Sequence, residues 1–351
     1  MFVDRSFDAY QDFLLGSKLY WTRRLYPALK DDYDRKVALA GTQPKTSEDV
    51  AQIFAGDTLY QYYAWLERHL QRLKYSGRWG LIPQHERHRT DFEALVANPP
   101  AGDLLELDPD LKLPKYYTSV DIHQHPGGVW SDAIAGFVYE RGARSTTPLL
   151  QRDKDLHHRF TDQVLARRAP KRLIDFGCGF GKSTRPFYEA ARDAEIVGID
   201  LASSGLKIAA RDAAEAQTRH VNFLQRDARA TGLPDGMADV VTSTMMLHEM
   251  PPEVIGEVID ESFRLLAPGG LMIHLDFLEA DDPFAKFIYY GHSRRNNEPY
   301  MPPLDRMGIA SRIESAGFRN VKVEPFEEMP GTLAPEFKNW RFPWVMISAE
   351  K

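Results

Sequence analysis

Arg172-Leu173-Ile174-Asp175-Phe176-Gly177-Cys178-Gly179-Phe180-Gly181-Lys182-Ser183 is the stretch that decides the fold. Its apolar start predicts a strand over 171–176, its alternate glycines a tight turn, and the residues near 182–192 a helix. Glycine at every second position leaves no β-carbon between the backbone and whatever lies over it. Amide N–H groups and the helix start can then face a polar, nucleotide-like ligand. Spacing narrows the ligand. A phosphate-cradling loop needs Gly, four residues, then Gly-Lys-Ser/Thr, and Phe176 stands where its first glycine belongs. A dinucleotide fingerprint, Gly-x-Gly-x-x-Gly, puts Lys182 at its last position because Gly181 comes one residue early. What remains is acidic-x-Gly-x-Gly-x-Gly, starting at Asp175.

Downstream, strands and helices alternate. Strands are predicted at 195–200, 221–225, 238–243, 270–276, about 320–325 and about 343–349, and helices near 203–217, 252–266 and 304–316. That order implies an α/β fold with a parallel sheet covered on both faces. In such sheets ligands lie at the carboxyl ends of the strands. The second strand ends in Asp200, a carboxylate suited to vicinal ribose hydroxyls, with Leu201 after it. The third runs into Arg226-Asp227-Ala228, followed by Leu233-Pro234 and then Asp239-Val240-Val241. The fourth ends in Ser243-Thr244-Met245-Met246-Leu247-His248-Glu249, and Ala267-Pro268-Gly269-Gly270 forms a helix stop before the fifth.

This ordered set resembles the class I S-adenosylmethionine-dependent methyltransferases, and within them the ubiquinone/menaquinone-type small-molecule enzymes, over about residues 150–325. The resemblance implies a Rossmann-like, seven-stranded, mostly parallel sheet with a hairpin-like final pair. It implies S-adenosylmethionine as methyl donor, S-adenosylhomocysteine as product, and no required metal. By motif position, Asp175 orients the ammonium end of the methionine portion, and Gly177, Gly179 and Gly181 admit that portion. Asp227 accepts from the adenine amino group and Ala228 contacts the ring, while Cys178, Leu201 and Thr244 complete the cofactor-binding set. The implied reaction moves a methyl group to a small-molecule acceptor aligned with the S–CH3 bond. Orientation of that kind is worth up to ~7–11 kcal/mol. His248 is the first candidate for a base, because imidazole titrates near neutrality. Glu249 either orients it or caps the next helix, and His292 is a third candidate. Two alternatives remain open: non-methyl or structural use of the same cofactor, and a nicotinamide-dependent oxidoreductase, which the glycine spacing disfavours.

Residues 1–150 lie outside the resemblance. Their first 98 positions read as helical, with Phe7, Tyr10, Phe13, Leu14, Tyr20, Trp21 and Leu25 in one aromatic stretch. Leu59, Tyr62, Tyr63, Leu66, Leu70 and Leu73 form a second, amphipathic stripe. Asn98-Pro99-Pro100-Ala101-Gly102-Asp103 marks a boundary, and Asp108-Pro109 and Leu113-Pro114 keep the next segment extended. These readings assign 1–150 to a helical accessory region that caps the substrate or forms a homodimer, and 151–351 to the methyltransferase domain. A lid insertion is expected at about 278–302. His123 and His125, in an irregular loop, are candidate acceptor-binding residues; as metal ligands they lack nearby carboxylate or thiolate spacing. Tyr289, Tyr290, Arg294 and Arg295 of the insertion complete the substrate set, an arginine there suiting a carboxylate or phosphate. A helix over 152–168 leads into the first strand, bringing His157 and His158 near the site.

Composition agrees with a globular chain of 351 residues, 43% hydrophobic and 27% charged. A net charge of −6 gives no overall field favouring nucleic acid. Cys178 is the single cysteine, so no intramolecular disulfide can form; it is a small residue in a crowded turn or a reactive thiol. No secretory signal and no membrane span is expected, which gives a cytoplasmic enzyme.

Overall fold

The apolar runs after residue 171 assemble into one sheet. The computed structural model describes residues 4–98, 104–143, 154–279 and 281–351. All of the Asn98–Asp103 boundary but Asn98, and the first two residues of the helix expected over 152–168, lie outside the described residues. The strands are β1 (Leu105–Glu106), β2 (Arg172–Phe176), β3 (Glu195–Asp200), β4 (Val221–Gln225), β5 (Ala238–Thr244), β6 (Leu266–Phe277), β7 (Arg319–Pro325) and β8 (Trp344–Glu350). Their order is β1-β4-β3-β2-β5-β6-β8-β7. Pairs among the first six are parallel, and β8 runs antiparallel to both β6 and β7. Central β2 reads Leu-Ile-Asp-Phe because both its faces are covered. Outer β7 carries the charged Arg319, Lys322 and Glu324, which discourage further edge pairing.

Among the described residues the sheet has eight strands where seven were expected. The extra one is β1, from the region before the motif, with Leu105 in register with Phe223. Two residues are too few to show an alternating pattern. β6 also begins earlier than expected: Leu266 pairs with Ala238, and the Pro268-Gly269-Gly270 turn becomes an irregularity before Leu271 meets Val240.

The N-terminal helices are α1 (Arg5–Tyr20), α2 (Tyr26–Ala40), α3 (Ser47–Ile53), α4 (Thr58–Tyr75), α5 (Leu81–Arg87) and α6 (Arg89–Ala97). A wide π-turn, Trp21–Leu25, joins α1 to α2 just before Pro27, which has no N–H to give. α3 has the capping box of Thr46 and Asp49. In α4, Tyr63 and Leu70 are buried, whereas Tyr62 and Leu73 of the expected apolar stripe are exposed. α7 (Lys115–Thr118) follows Pro114, and α8 (Ala135–Ala143) is a helix the sequence reading did not anticipate. Next come α9 (Leu156–Arg167), α10 (Thr184–Ala190), α11 (Ser203–Glu215) and α12 (Pro252–Leu265). The expected lid is a helix, α13 (Pro283–Asn296), with Asp282 accepting from the Ala285 N–H at 2.6 Å as its cap. The helix expected over 304–316 is two, α14 (Met301–Arg306) and α15 (Ile309–Ser315), separated where Gly308 turns left-handed at φ 66°.

Two apolar cores lie on the sheet's two faces, one around Phe160, Phe187 and Phe223, the other around Phe176, Ile259 and Ile313. A third core joins Leu29, Val50, Phe54 and Tyr63 of the N-terminal helices to Phe284, Phe287 and Ile288 of α13. The N-terminal region is therefore fastened to the later half through the insertion. No described helix is long and apolar enough to cross a membrane.

Candidate active site

The turn after β2 puts Gly177, Gly179 and Gly181 at φ 64°, 53° and 83°, where a β-carbon would strain the backbone. Space adds to the demand. A β-carbon at Gly177 would lie 2.8 Å from Met246 Sδ, and one at Gly181 2.9 Å from Ala209 Cβ. α8 lies over this turn: Gly136 lets it approach the backbone of Ser204 on α11, and Tyr139 stands edge-on to Phe180 at 5.2 Å. Cys178 is buried beside Gly198, and burial pushes its thiol well above the usual range. It fills the turn as a small residue and is no thiolate.

Asp200, at the end of β3, accepts from the Gly179 N–H at 2.8 Å and the Ala202 N–H at 2.7 Å. Burial pushes its pKa up to about 6 against those bonds. Asp227 is gripped by Arg229 through contacts of 3.0 and 2.7 Å, and Arg229 in turn lies 5.9 Å from the Tyr116 ring. At the end of β5 the Thr244 hydroxyl is buried without a partner.

His248 follows in a short helical turn. Its Nδ1 meets Asp276 Oδ1 at 2.7 Å, while Asp276 Oδ2 accepts from the Leu247 N–H at 2.7 Å. Burial alone would lower the His248 pKa, but the Asp276 carboxylate outweighs it and the pKa is raised. Asp276 thus selects the tautomer with hydrogen on Nδ1 and leaves Nε2 as the free acceptor.

The opposite wall comes from the N-terminal helices and α13. Glu67, Leu70, Gln71 and Lys74 face the cavity at helical spacing on α4. His123 Nε2 lies 2.9 Å from Glu249 Oε1, and its Nδ1 lies 3.0 Å from Glu298 Oε1. Burial opposes its charge, yet the two carboxylates push its pKa up to about 10. His292 Nδ1 meets Glu67 at 2.5 Å and its Nε2 lies 3.7 Å from Glu298; the carboxylates push its pKa up to about 9 against burial. The 122–125 turn that carries His123 is strained, His123 and Gln124 both standing near φ 57°. Gln71 holds it by donating to the His123 carbonyl at 2.6 Å.

One cavity gathers Gly177, Cys178, Gly179, Asp200, Leu201, Asp227, Ala228 and Thr244 on one side. On the other it gathers His123, His248, Glu249 and His292. His157 also lines it, its Nδ1 3.5 Å from Asp155 Oδ2, while its neighbour His158 pairs with the same carboxylate at 2.9 Å.

Several expected residues are placed elsewhere. Asp175 is buried behind the turn, accepting from Ser183 Oγ and Thr184 Oγ1 at 2.7 Å each, where it fixes the start of α10. Gly181 backs onto α11 through Ala209. His125 stacks on Tyr75 at 5.0 Å, and burial beside Lys74 pushes its pKa down to about 3. Phe284, Phe287 and Ile288 put one side of α13 into the third core, His292 and Asn296 line the cavity, and Tyr289, Tyr290, Arg294 and Arg295 do not. Tyr289 donates to the Phe277 carbonyl at 3.2 Å, and Tyr290 to Asp305 at 2.7 Å. Arg294 is exposed, and Arg295 is buried against Glu67.

Sequence reasoning missed Asp276, although the rule that strand ends carry function points to it as the last residue of the strand read at 270–276. It also missed Tyr139, Glu67, Lys18, Lys74 and Glu298. Glu298 reaches the cavity from the loop after α13 and the other four from distant helices, and none carries a local signal.

Residues 173–270 match the family described as a methyltransferase domain. The chain is 39% identical over 110 residues to a demethylmenaquinone methyltransferase of Thermus thermophilus, covering 31% of this chain and 49% of that one. It is 31% identical over 190 residues to a ubiquinone/menaquinone biosynthesis C-methyltransferase of Dinoroseobacter shibae, covering 48% of this chain and 75% of that one. Among solved structures, an S-adenosylmethionine-dependent methyltransferase from Archaeoglobus fulgidus superposes with a TM-score of 0.45 at 19% identity, over 61% of this chain and 99% of that one.

Proposed function

Since this chain belongs to the class I S-adenosylmethionine-dependent methyltransferase superfamily, we propose that it methylates a small aromatic acceptor whose reacting atom must lose a proton. The observation that carries the reading is that the glycine turn, Asp200 and the His248–Asp276 pair meet in one cavity. The residues present fit S-adenosylmethionine. Gly179 opens a side-chain-free cradle, the Thr244 hydroxyl is orphaned at the wall, and Asp200 retains lone pairs for vicinal hydroxyls. Gly177, Gly179, Asp200, Asp227, Ala228 and Thr244 would hold it. When bound, it supplies an activated methyl group.

The chain's own residues then have two tasks. Tyr116, Tyr139, Trp340 and Phe342 line the cavity, excluding water and offering faces for a planar ring. His248 Nε2 takes the acceptor's proton while Asp276 stabilises the resulting imidazolium, a contribution of ~10²–10⁴ in rate for a well-placed base. The ubiquinone/menaquinone biosynthesis C-methyltransferase among the relatives supports a quinone-type acceptor methylated at carbon.

Calorimetry with S-adenosylhomocysteine tests the reading. One equivalent should bind, and Asp200→Ala should weaken binding by about 100-fold or more, two charge-assisted bonds being worth ~1.5–3 kcal/mol each. A folded protein that binds none would end the proposal. Incubation with methyl-labelled cofactor and cell extract should yield a labelled small molecule; label that stays on the cofactor would favour non-methyl use of the site.

A further inference from the structure

Five of the nine exposed large hydrophobic side chains among the described residues stand on one face, where α1 and α4 lie side by side. They are Phe13 and Tyr20 on α1, and Tyr62, Trp65 and Leu73 on α4. On α4 the stripe recurs at three- and four-residue steps, Trp65 stacking on His69 at 4.4 Å. Between the helices runs an open groove lined by Phe13, Gly16, Ser17, Tyr20, Tyr62 and Leu66. A contiguous apolar face of this kind marks an interaction surface, which scattered single residues do not.

Gly16 singles out the groove further. A glycine inside an exposed helix weakens it relative to alanine. Packing among the described residues gives no reason for one, because a β-carbon at Gly16 would meet no atom within 4 Å. Close approach of a backbone from outside the chain gives that reason.

Charge decides what approaches. Tyr10 donates to the Leu73 carbonyl and Trp21 Nε1 to the Tyr63 carbonyl, each at 3.1 Å, so the two helices run antiparallel and Asp12 stands level with Arg72. Successive side chains turn by about 100°, which puts Asp12 and Arg72 on opposite outer edges of the apolar strip. Along the α1 edge the exposed Asp8 and Asp12 outnumber Arg5, and along the α4 edge stand the exposed Arg68 and Arg72. Asp8 also lies 3.9 Å from Arg141, so Asp12 is the acid offered to a partner. A strip with one acidic and one basic edge complements itself: a two-fold axis parallel to the helices lays each acidic edge on the other copy's basic edge. An anionic membrane surface would instead repel the acidic edge.

We propose that this face joins two copies of the chain in an isologous dimer, with Asp12 of each meeting the partner's Arg72 beside the aromatic strip. With 16 and 18 residues, α1 and α4 are about 24 and 27 Å long and together present roughly 500 Å². Two copies then bury about 1,000 Å², the lower end for a specific interface, so the dimer is a weak one. On its opposite side α4 turns Glu67, Leu70 and Gln71 to the cavity, and the contact braces the wall those residues build.

Sedimentation equilibrium of the full chain from about 1 to about 200 µM should show monomers passing to dimers with a Kd on the order of 10 µM. Gly16→Gln fills the groove without disturbing the helix, and Trp65→Glu charges the strip; each should raise Kd about tenfold or more. Asp12→Arg and Arg72→Asp should each weaken the dimer about tenfold, and the double exchange should restore most of the loss. All four positions are exposed, and melting curves check that each variant is folded. Dimers that Gly16→Gln and Trp65→Glu leave intact, or a double exchange no better than either single one, would overturn the inference. So would a chain that stays monomeric throughout; flotation with vesicles of phosphatidylcholine and phosphatidylserine would then assign the face to a membrane surface.

Discussion

The two walls of the cavity are built by different means. On the wall proposed to hold the methyl donor, the donor wall, the glycine turn and Asp200 are joined across 21 positions by a backbone N–H. On the acceptor wall His123 reaches Glu249 across 126 positions and Glu298 across 175, and His292 reaches Glu67 across 225. The first wall is a property of one supersecondary unit. The second exists only once α4, α13 and the 122–125 turn have docked. Loss of docking should therefore damage acceptor chemistry while sparing the donor site.

The largest break between the walls is expected at His248. His248→Gln should lower kcat by ~10²–10⁴ while S-adenosylhomocysteine affinity stays within about threefold, because in the proposed reaction the imidazole moves a proton and does not hold the methyl donor. Asp276→Asn should do much of the same, by presenting the wrong tautomer. Single-turnover rates together with calorimetry separate the cases. Equal losses in both measurements would move His248 onto the donor wall.

Gly177→Ala should give the reverse pattern. The new methyl group meets Met246 at 2.8 Å in a backbone conformation of φ 64°. The expected cost is about 1–3 kcal/mol of stability and a drop in S-adenosylhomocysteine affinity of about tenfold, read by urea titration and calorimetry. Unchanged affinity would show that the turn can relax without disturbing the cradle.

How the walls are built also explains what the sequence disclosed. Alternating apolar strands, Gly177-Cys178-Gly179 and the acids at strand ends are local patterns, so the α/β sheet and most of the donor wall were legible. Asp175 belongs to the same pattern, yet its carboxylate turned inward to accept from the Ser183 and Thr184 hydroxyls at the start of α10, an orientation no spacing reveals. β1 escaped notice because two residues show no period. Tyr289, Tyr290, Arg294 and Arg295 read as a lid because they are polar and aromatic. The i, i+3, i+4 positions Phe284, Phe287 and Ile288 decided instead which side of α13 is buried. Lys18, Glu67 and Lys74 look like ordinary charges on amphipathic helices, and only docking turned them inward.

Titration should distinguish the walls by sign. On the acceptor wall, His123 and His292 have pKa values raised to about 10 and about 9, so the folded protein holds protons the unfolded chain releases above about 6.5. Their stabilisation is complete below that pH and is lost as pH rises toward 10. Asp175 and Asp200 of the other half, both raised to about 6 by burial, bind protons more tightly when folded, and stability should decline as pH rises from about 4 to 6. In melting curves the two histidines should contribute a fall of a few degrees between pH 7 and 10, against an opposite contribution from Lys18 and Lys74, whose pKa values burial lowers. His292→Gln should flatten that fall without altering the decline below pH 6. An unchanged alkaline slope in His292→Gln and His123→Gln would show that the imidazolium chain contributes nothing to docking.

The smallest effect is expected at Arg294, and it is informative because its neighbour Arg295 is buried in the acceptor wall's ion pairs. One residue along a helix turns a side chain by about 100°, enough to separate a core-facing position from a solvent-facing one. Arg294 lies in the last turn of α13, exposed, with solvent to screen its charge. Arg294→Ala should change stability by less than about 0.5 kcal/mol and leave kcat/KM within about twofold. Urea denaturation and steady-state rates measure both. A tenfold loss of kcat/KM at unchanged stability would mean that α13 swings Arg294 toward the acceptor during turnover, and the wall would then be a moving lid.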